Sequence, residues 1–246
     1  MKRFLFLYAG ALAAGSIGMA ATGIDTTLSP LWDGSNAFGT LGDNIDAGSL
    51  ATFGQVITVP ATDTVLTDFS LALNANLTGT TTLRFYVFEW DSINNHTTGS
   101  ALYASGTLNT FPSSFQLAGA SGLSIDRPAG SQLVLVASAE EVTENDPQNS
   151  LGSWDSAEVG FATSSVTDAY ASGAAWVKGY GGGDLTTLGD SGWSEINSQG
   201  HSDFAFTANF TSPLVDVPEA GTVAAGALLS LTAVGLAVIR SKAARA

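Results

Sequence analysis

The chain contains no cysteine among its 246 residues. A disulfide framework and a thiolate metal site are both excluded, so packing and hydrogen bonds alone must hold the fold. Positive charge is almost as scarce, with 8 Lys and Arg against 22 Asp and Glu and a formal net charge of −14. Away from the two ends only Arg84, Arg127 and Lys178 remain. Such a surface repels a phosphate backbone, which excludes nucleic acid as a partner. It also repels anionic polysaccharide unless divalent cations intervene, and it suits solubility in a salty medium. No amphipathic helical period runs for more than a turn or two, and there is no internal repeat. Long apolar runs occur only at the ends.

The first of these runs reads as an address. Lys2 and Arg3 precede an apolar, Ala/Gly-rich stretch over residues 4–19, and Gly18, Ala20 and Ala21 offer a small-residue cleavage site. That order predicts a secretory signal peptide over residues 1–21. Residues 22–212, about 190 in all, are enough to bury one core without crosslinks.

Strand signals dominate this middle region. In "VLTDFSLAL", Val65, Thr67, Phe69, Leu71 and Leu73 are expected on one face, with Asp68 and Ser70 on the other. In "DFAFTANF", Phe204, Phe206, Ala208 and Phe210 are expected to alternate with Asp203, Thr207 and Asn209. Period-two alternation marks strands of an antiparallel sheet with one covered face. "TFGQVITV", "TLRFYVFEW", "QLVLVAS" and "EVGFAT" add more strands, separated by Gly, Asn, Asp and Ser clusters. The expected fold is all-β, a single antiparallel β-sandwich or jelly roll. Residues 22–50 are expected to wrap it as an irregular stretch, and residues 213–221 to form a linker.

The chemistry-bearing motifs are weak. "GDSG" at residues 189–192 resembles the nucleophile turn of chymotrypsin-like proteases, and His96 and Asp126 precede it in the appropriate order. However, His96 lies in the polar "SINNHTTGS", Trp193 follows where that family has glycine, and Gly-Asp-Ser-Gly is ordinary turn composition. "GYGGGDLTTLGDSG" is one imperfect copy of a calcium-roll repeat, and one copy builds no roll. Glu89 and Asp91 sit two apart on a strand and point the same way, unlike the cleft-spanning pair of a glycosidase. No catalytic residue, metal ligand or cofactor is assigned and no enzyme is expected. The acidic loops "WDGSN", "TENDPQNS" and "SWDSAE" would suit a structural calcium ion, without a ligand spacing that names residues. The sequons at Asn76, Asn95 and Asn209 carry weight only if the host glycosylates them.

The aromatic residues are more informative. In "RFYVFEW", Phe85 and Val87 fall on one face and Tyr86, Phe88 and Trp90 on the other. Such a strand is either covered on both sides or displays an aromatic platform. Saccharides stack on Tyr and Trp rings, so Tyr86, Trp90, Trp154 and Trp193 are the candidate glycan contacts, against a competing core role.

The C-terminus is the second half of the address. Residues 220–239 carry no charge and, as a helix, would span one hydrocarbon core, with a transmembrane segment expected over 222–239. Arg240, Lys242 and Arg245, in the tail 240–246, form a cytoplasmic stop. Val217, Pro218 and Glu219 lie just outside, where proline keeps the chain extended. This order of parts resembles the PEP-CTERM sorting signal, which exosortase-type membrane proteases process. Ala220 stands in place of the usual second proline. The resemblance implies a Gram-negative bacterium making extracellular polysaccharide. It also implies a transient inner-membrane anchor and delivery to the cell surface or matrix. "FGQVITVPATDTVLTDFSLALN", "RFYVFEWD", "GSALYASG" and "QLVLVAS" are similar to the sandwich domain of such exported proteins. Two functions follow: a non-catalytic surface or matrix protein, or alternatively a carbohydrate-binding module acting on extracellular polysaccharide.

Overall fold

The computed structural model describes residues 21–42, 50–76, 83–108, 114–138, 156–162, 168–179, 192–196 and 203–213. The expected signal peptide up to Ala20, Trp154, the expected processing residues Val217, Pro218 and Glu219, and the basic residues Arg240, Lys242 and Arg245 lie outside them. The chain divides into two units, Met1–Ser212 and Pro213–Ala246, and the strands belong to the first.

The described residues are all-β. Thirteen strands follow in order: β1 (Thr22–Asp25), β2 (Ala37–Gly42), β3 (Leu50–Thr58), β4 (Val65–Asn76), β5 (Arg84–Asp91), β6 (His96–Ala104), β7 (Gln116–Asp126), β8 (Gln132–Ser138), β9 (Ser156–Ala162), β10 (Ala174–Gly179), β11 (Trp193–Glu195), β12 (Asp203–Phe204) and β13 (Phe206–Thr211). Pairing is antiparallel apart from one parallel contact, Leu41 with Leu50, among the described strands. One antiparallel sheet runs β1-β13-β4-β7 and the other β11-β10-β3-β8-β5-β6; β9 and β2 join them along the hydrogen-bonded path. Two such sheets with apolar residues between them are consistent with a β-sandwich.

The core forms where the inward residues of both sheets meet. Phe69, Leu71 and Leu73 of β4, with Phe206, Ala208 and Phe210 of β13, share it with Phe53 and Ile57 of β3, Phe85 and Val87 of β5, and Leu133 and Leu135 of β8. The alternation holds in β13, where Phe206, Ala208 and Phe210 are fully buried between half-buried Thr207 and Asn209, but not in β12, where Asp203, expected on the polar side, is fully buried beside Phe204.

Two local expectations are corrected. Residues 22–50 are not all irregular: β1 pairs with β13 from Thr22↔Phe210 to Asp25↔Thr207, and β2 pairs with β9. In β4, Thr67 is skipped by both neighbours, since the register jumps between Leu66 and Asp68 against β7 and correspondingly against β13. This bulge turns Leu66 inward and fully buries it, while Val65 and Thr67 are only half-buried.

One polar side chain crosses the core. Gln55 of β3 is fully buried; its Nε2 donates to Asp203 Oδ1 at 2.8 Å and its Oε1 accepts from the Phe204 N–H at 2.8 Å. At the margin, Asp63 is buried and accepts the Ser212 hydroxyl at 2.6 Å and the Thr22 hydroxyl at 2.5 Å. These bonds, Ser212 first, hold its carboxyl below the ordinary aspartate range. Gln55→Leu keeps the bulk but leaves the Phe204 N–H and the Asp203 carboxyl without that partner. It should lower stability by about 1–3 kcal/mol in a urea titration, and an unchanged midpoint would contradict the bridging role.

Candidate functional site

β5 is apolar on both faces because the sheet that contains it is covered on both. Its outer face carries a second apolar cluster of Val56, Tyr86, Phe88, Trp90, Val134, Val136, Trp176 and Trp193. The Trp90 ring lies 4.9 Å from that of Trp176 and 5.6 Å, edge-on, from that of Trp193. Trp193 reaches over β3 only because residue 54 is glycine: a Cβ there would stand 2.9 Å from its indole and 2.7 Å from Val134.

Three of the candidate glycan contacts are buried in this cluster. Tyr86 is 1% exposed and stacks near Phe88, while Trp90 and Trp193 are 7% and 8% exposed. A sugar needs an open ring face, and these rings are packed against other aromatic side chains. Trp90 lines a depression in the surface.

That depression lies where three connections converge: residues 92–95 between β5 and β6, 127–131 between β7 and β8, and 170–173 before β10. Two adjoining hollows of about 690 and 440 Å³ share Trp90, Ser92 and Gln132. The larger adds Glu89, Asp91, Thr98 and Arg127; the smaller adds Thr58, Asn95, Trp176 and the turn residues Ala171, Ser172 and Gly173.

Each wall is set by its own hydrogen bonds. Asp91 Oδ2 accepts Asn94 Nδ2 at 2.7 Å and its Oδ1 accepts the Ile93 N–H at 2.8 Å, so its carboxyl is held below the usual range. The bend leaves Ile93 89% exposed at the tip and Asn95 with a positive φ of 55°. Arg127 Nε stands 2.7 Å from Glu89 Oε1, an ion pair out of line for a good hydrogen bond. Hence neither Glu89 nor Asp91 is a free carboxylate, although they line the same hollow. Gln132 is different: its Oε1 is buried and has no hydrogen-bond partner among the described residues.

The third wall is fastened most tightly. The Tyr170 hydroxyl accepts the Thr58 N–H at 3.0 Å, and Thr58 Oγ1 donates to the Ser172 carbonyl at 2.6 Å. The Gly173 N–H closes the turn onto the Tyr170 carbonyl at 3.1 Å. A Cβ on Gly173 would collide with the Val56 carbonyl at 1.9 Å, so the turn can press against β3 only with glycine there. Behind the turn, the Tyr170 N–H donates to Asp203 Oδ2 at 2.7 Å and lies 3.2 Å from Asp168 Oδ1. Burial, then the neighbouring Asp168 carboxyl, pushes Asp203 up to about 8.

The protease-like residues are engaged separately. His96 Nδ1 lies 2.6 Å from the Thr97 carbonyl, and Asp126 accepts the Thr64 hydroxyl at 2.7 Å. Residues 189–191 of "GDSG" lie outside the described residues. Of the acidic loops, "WDGSN" uses Asp33 within its own turn, where Oδ1 accepts the Asn36 and Ser35 N–H groups at 2.8 Å each. Sequence reasoning did not single out Gln132, Asp168, Tyr170 or Asp203. The available signal was Gln55, a polar residue at an inward position of an apolar strand. Comparison with protein-family models, with curated proteins and with solved structures gives no match.

Two outcomes test these placements. Trp90→Ala should cost about 3–5 kcal/mol in chemical denaturation, as for a buried aromatic; a surface platform would lose almost nothing. Asp203 holds its proton in the folded chain up to about pH 8, whereas an unfolded aspartate releases it near pH 4. Between those values the native state binds the extra proton, so stability should fall as pH rises and level off above the folded value. Asp203→Asn should remove that slope, read as the denaturation midpoint at each pH.

Proposed function

We propose that this chain is a non-catalytic, exported protein of a bacterial cell surface or extracellular matrix, delivered through a PEP-CTERM-like tail. The observation that carries this reading is the order of parts in the last thirty or so residues. A Val217-Pro218-Glu219 boundary is followed by an uncharged span and then by Arg240, Lys242 and Arg245. Among the described residues no helix is long and apolar enough to cross a membrane, and the span over 222–239 lies outside them. Ala, Gly, Ser and Thr make that span only marginally apolar, which suits temporary retention in the inner membrane. The extended Val217-Pro218 stretch would present a strand to an exosortase-type membrane protease.

A second reading is favoured by the groove. Its rim of hydroxyls and amides (Ser92, Asn95, Thr98, Ser172), the unpartnered Gln132 Oε1 and the indoles of Trp90 and Trp176 fit a polyhydroxylated ligand such as a neutral saccharide. A sugar hydroxyl would supply the donor that Gln132 lacks. In this reading the indoles contribute apolar flank rather than an open stacking face.

Intact-mass measurement of the surface fraction tests the sorting route. The mature protein should lack everything after the Pro218–Glu219 region, and replacing both residues by Ala should trap the full-length form in the membrane. A surface protein still ending in Ala246 would leave a plain anchor instead.

A further inference from the structure

The wall formed by residues 170–173 is attached beside two neighbouring carboxyls, those of Asp168 and Asp203. Asp203 begins β12, is fully buried, and is reached from the core by Gln55 Nε2 at 2.8 Å. Asp168 precedes the turn and is exposed. The Tyr170 backbone N–H lies between the two carboxyls, at 2.7 Å from Asp203 and 3.2 Å from Asp168. One N–H cannot neutralise two carboxylates, and burial beside the Asp168 carboxyl disfavours the charged form of Asp203. A proton on Asp203 removes the conflict.

Resting on the groove reading above, we propose that the Asp168–Asp203 pair is a proton-held latch for this wall. While Asp203 keeps its proton the 170–173 turn stays docked, and loss of that proton to solvent releases the turn and opens the smaller hollow. Among the described residues, the titratable groups facing Asp203 are the Asp168 carboxyl and the Tyr170 phenol. Burial raises the phenol above its ordinary value, so it stays protonated through the range in which Asp203 gives up its proton. The remaining anchors, the Tyr170 hydroxyl and Ser172 carbonyl bonds to Thr58, do not titrate in that range. They resist release, which confines the response to the turn and leaves β3 and β10 paired from Val56↔Ala174 onward. Trp176 stands two residues beyond Ala174, with its ring against Trp90, and reports on the wall.

The test is a titration of tryptophan emission on the full chain from about pH 6 to about pH 10, with far-UV circular dichroism recorded alongside. The latch requires one emission transition centred near pH 8 with an unchanged dichroism spectrum. Asp203→Asn should abolish the transition, and Asp168→Asn should move its midpoint downward, because the Asp168 carboxyl helps raise Asp203. An absent transition, the same transition in Asp203→Asn, or parallel loss of the strand spectrum would overturn the latch. A neutral-saccharide screen at both ends of the titration reads the groove separately. Its failure would remove the ligand, and the emission result would still decide the latch.

Discussion

The side-chain amide of Gln55 ties β3 to β12, the short strand that pairs with β9 and leads into β13, through the middle of the core. A carboxamide placed between apolar layers is costly unless both its ends are matched. Here the oxygen takes the Phe204 N–H and the nitrogen reaches Asp203, each at 2.8 Å. Sliding one sheet across the other by a single residue pair would break both bonds inside the core. Phe53, Ile57 and the phenylalanines of β12 and β13 supply far more buried area, but apolar contacts tolerate small shifts that a two-ended hydrogen bond does not. The same amide orients Asp203 towards the Tyr170 turn, so the core contact and the groove wall share one residue.

The second sheet is unusual in needing cover on both faces. Phe85, Val87, Leu133 and Leu135 fill the space between the sheets, while Tyr86, Phe88, Val134 and Val136 form the outer cluster. Tryptophans close part of it, and Gly54 supplies the flat place on which the Trp193 ring rests. Indoles are large enough to cover a sheet with few residues, and at its end Trp90 and Trp176 also become the lining of the groove. Core cover and candidate ligand surface are thus different edges of the same rings.

The all-β class and the two-faced nature of β5 were legible in the sequence because alternation is a local property. Inward and outward residues of β13 could be read one by one. β4 could be read only in its second half, since the bulge at Thr67 is fixed by neighbours, β7 and β13, that lie far away along the chain. β1 and β2 were missed for a related reason: four to six residues rich in Gly, Asp and Thr carry little strand signal of their own and are held by β13 and β9. At the site, Trp90 could be nominated from composition, but whether a ring is platform or cover depends on Trp176 and Trp193 coming from other strands. Gln132, Asp168 and Asp203 were not legible at all. Their significance comes from a missing donor in one case and a shared N–H in the other, and neither leaves a pattern in the sequence.

Asp63 binds the hydroxyls of Thr22, where the first strand starts, and Ser212, just after the last. The two strands they flank are also paired with each other. The strand domain is thereby a ring in everything but its covalent connectivity, and its starting point is arbitrary with respect to packing. Joining residues 22 and 212 through a short linker and opening the chain at an exposed turn such as that of Ile93 would give a circular permutant with every strand still beside its present neighbour.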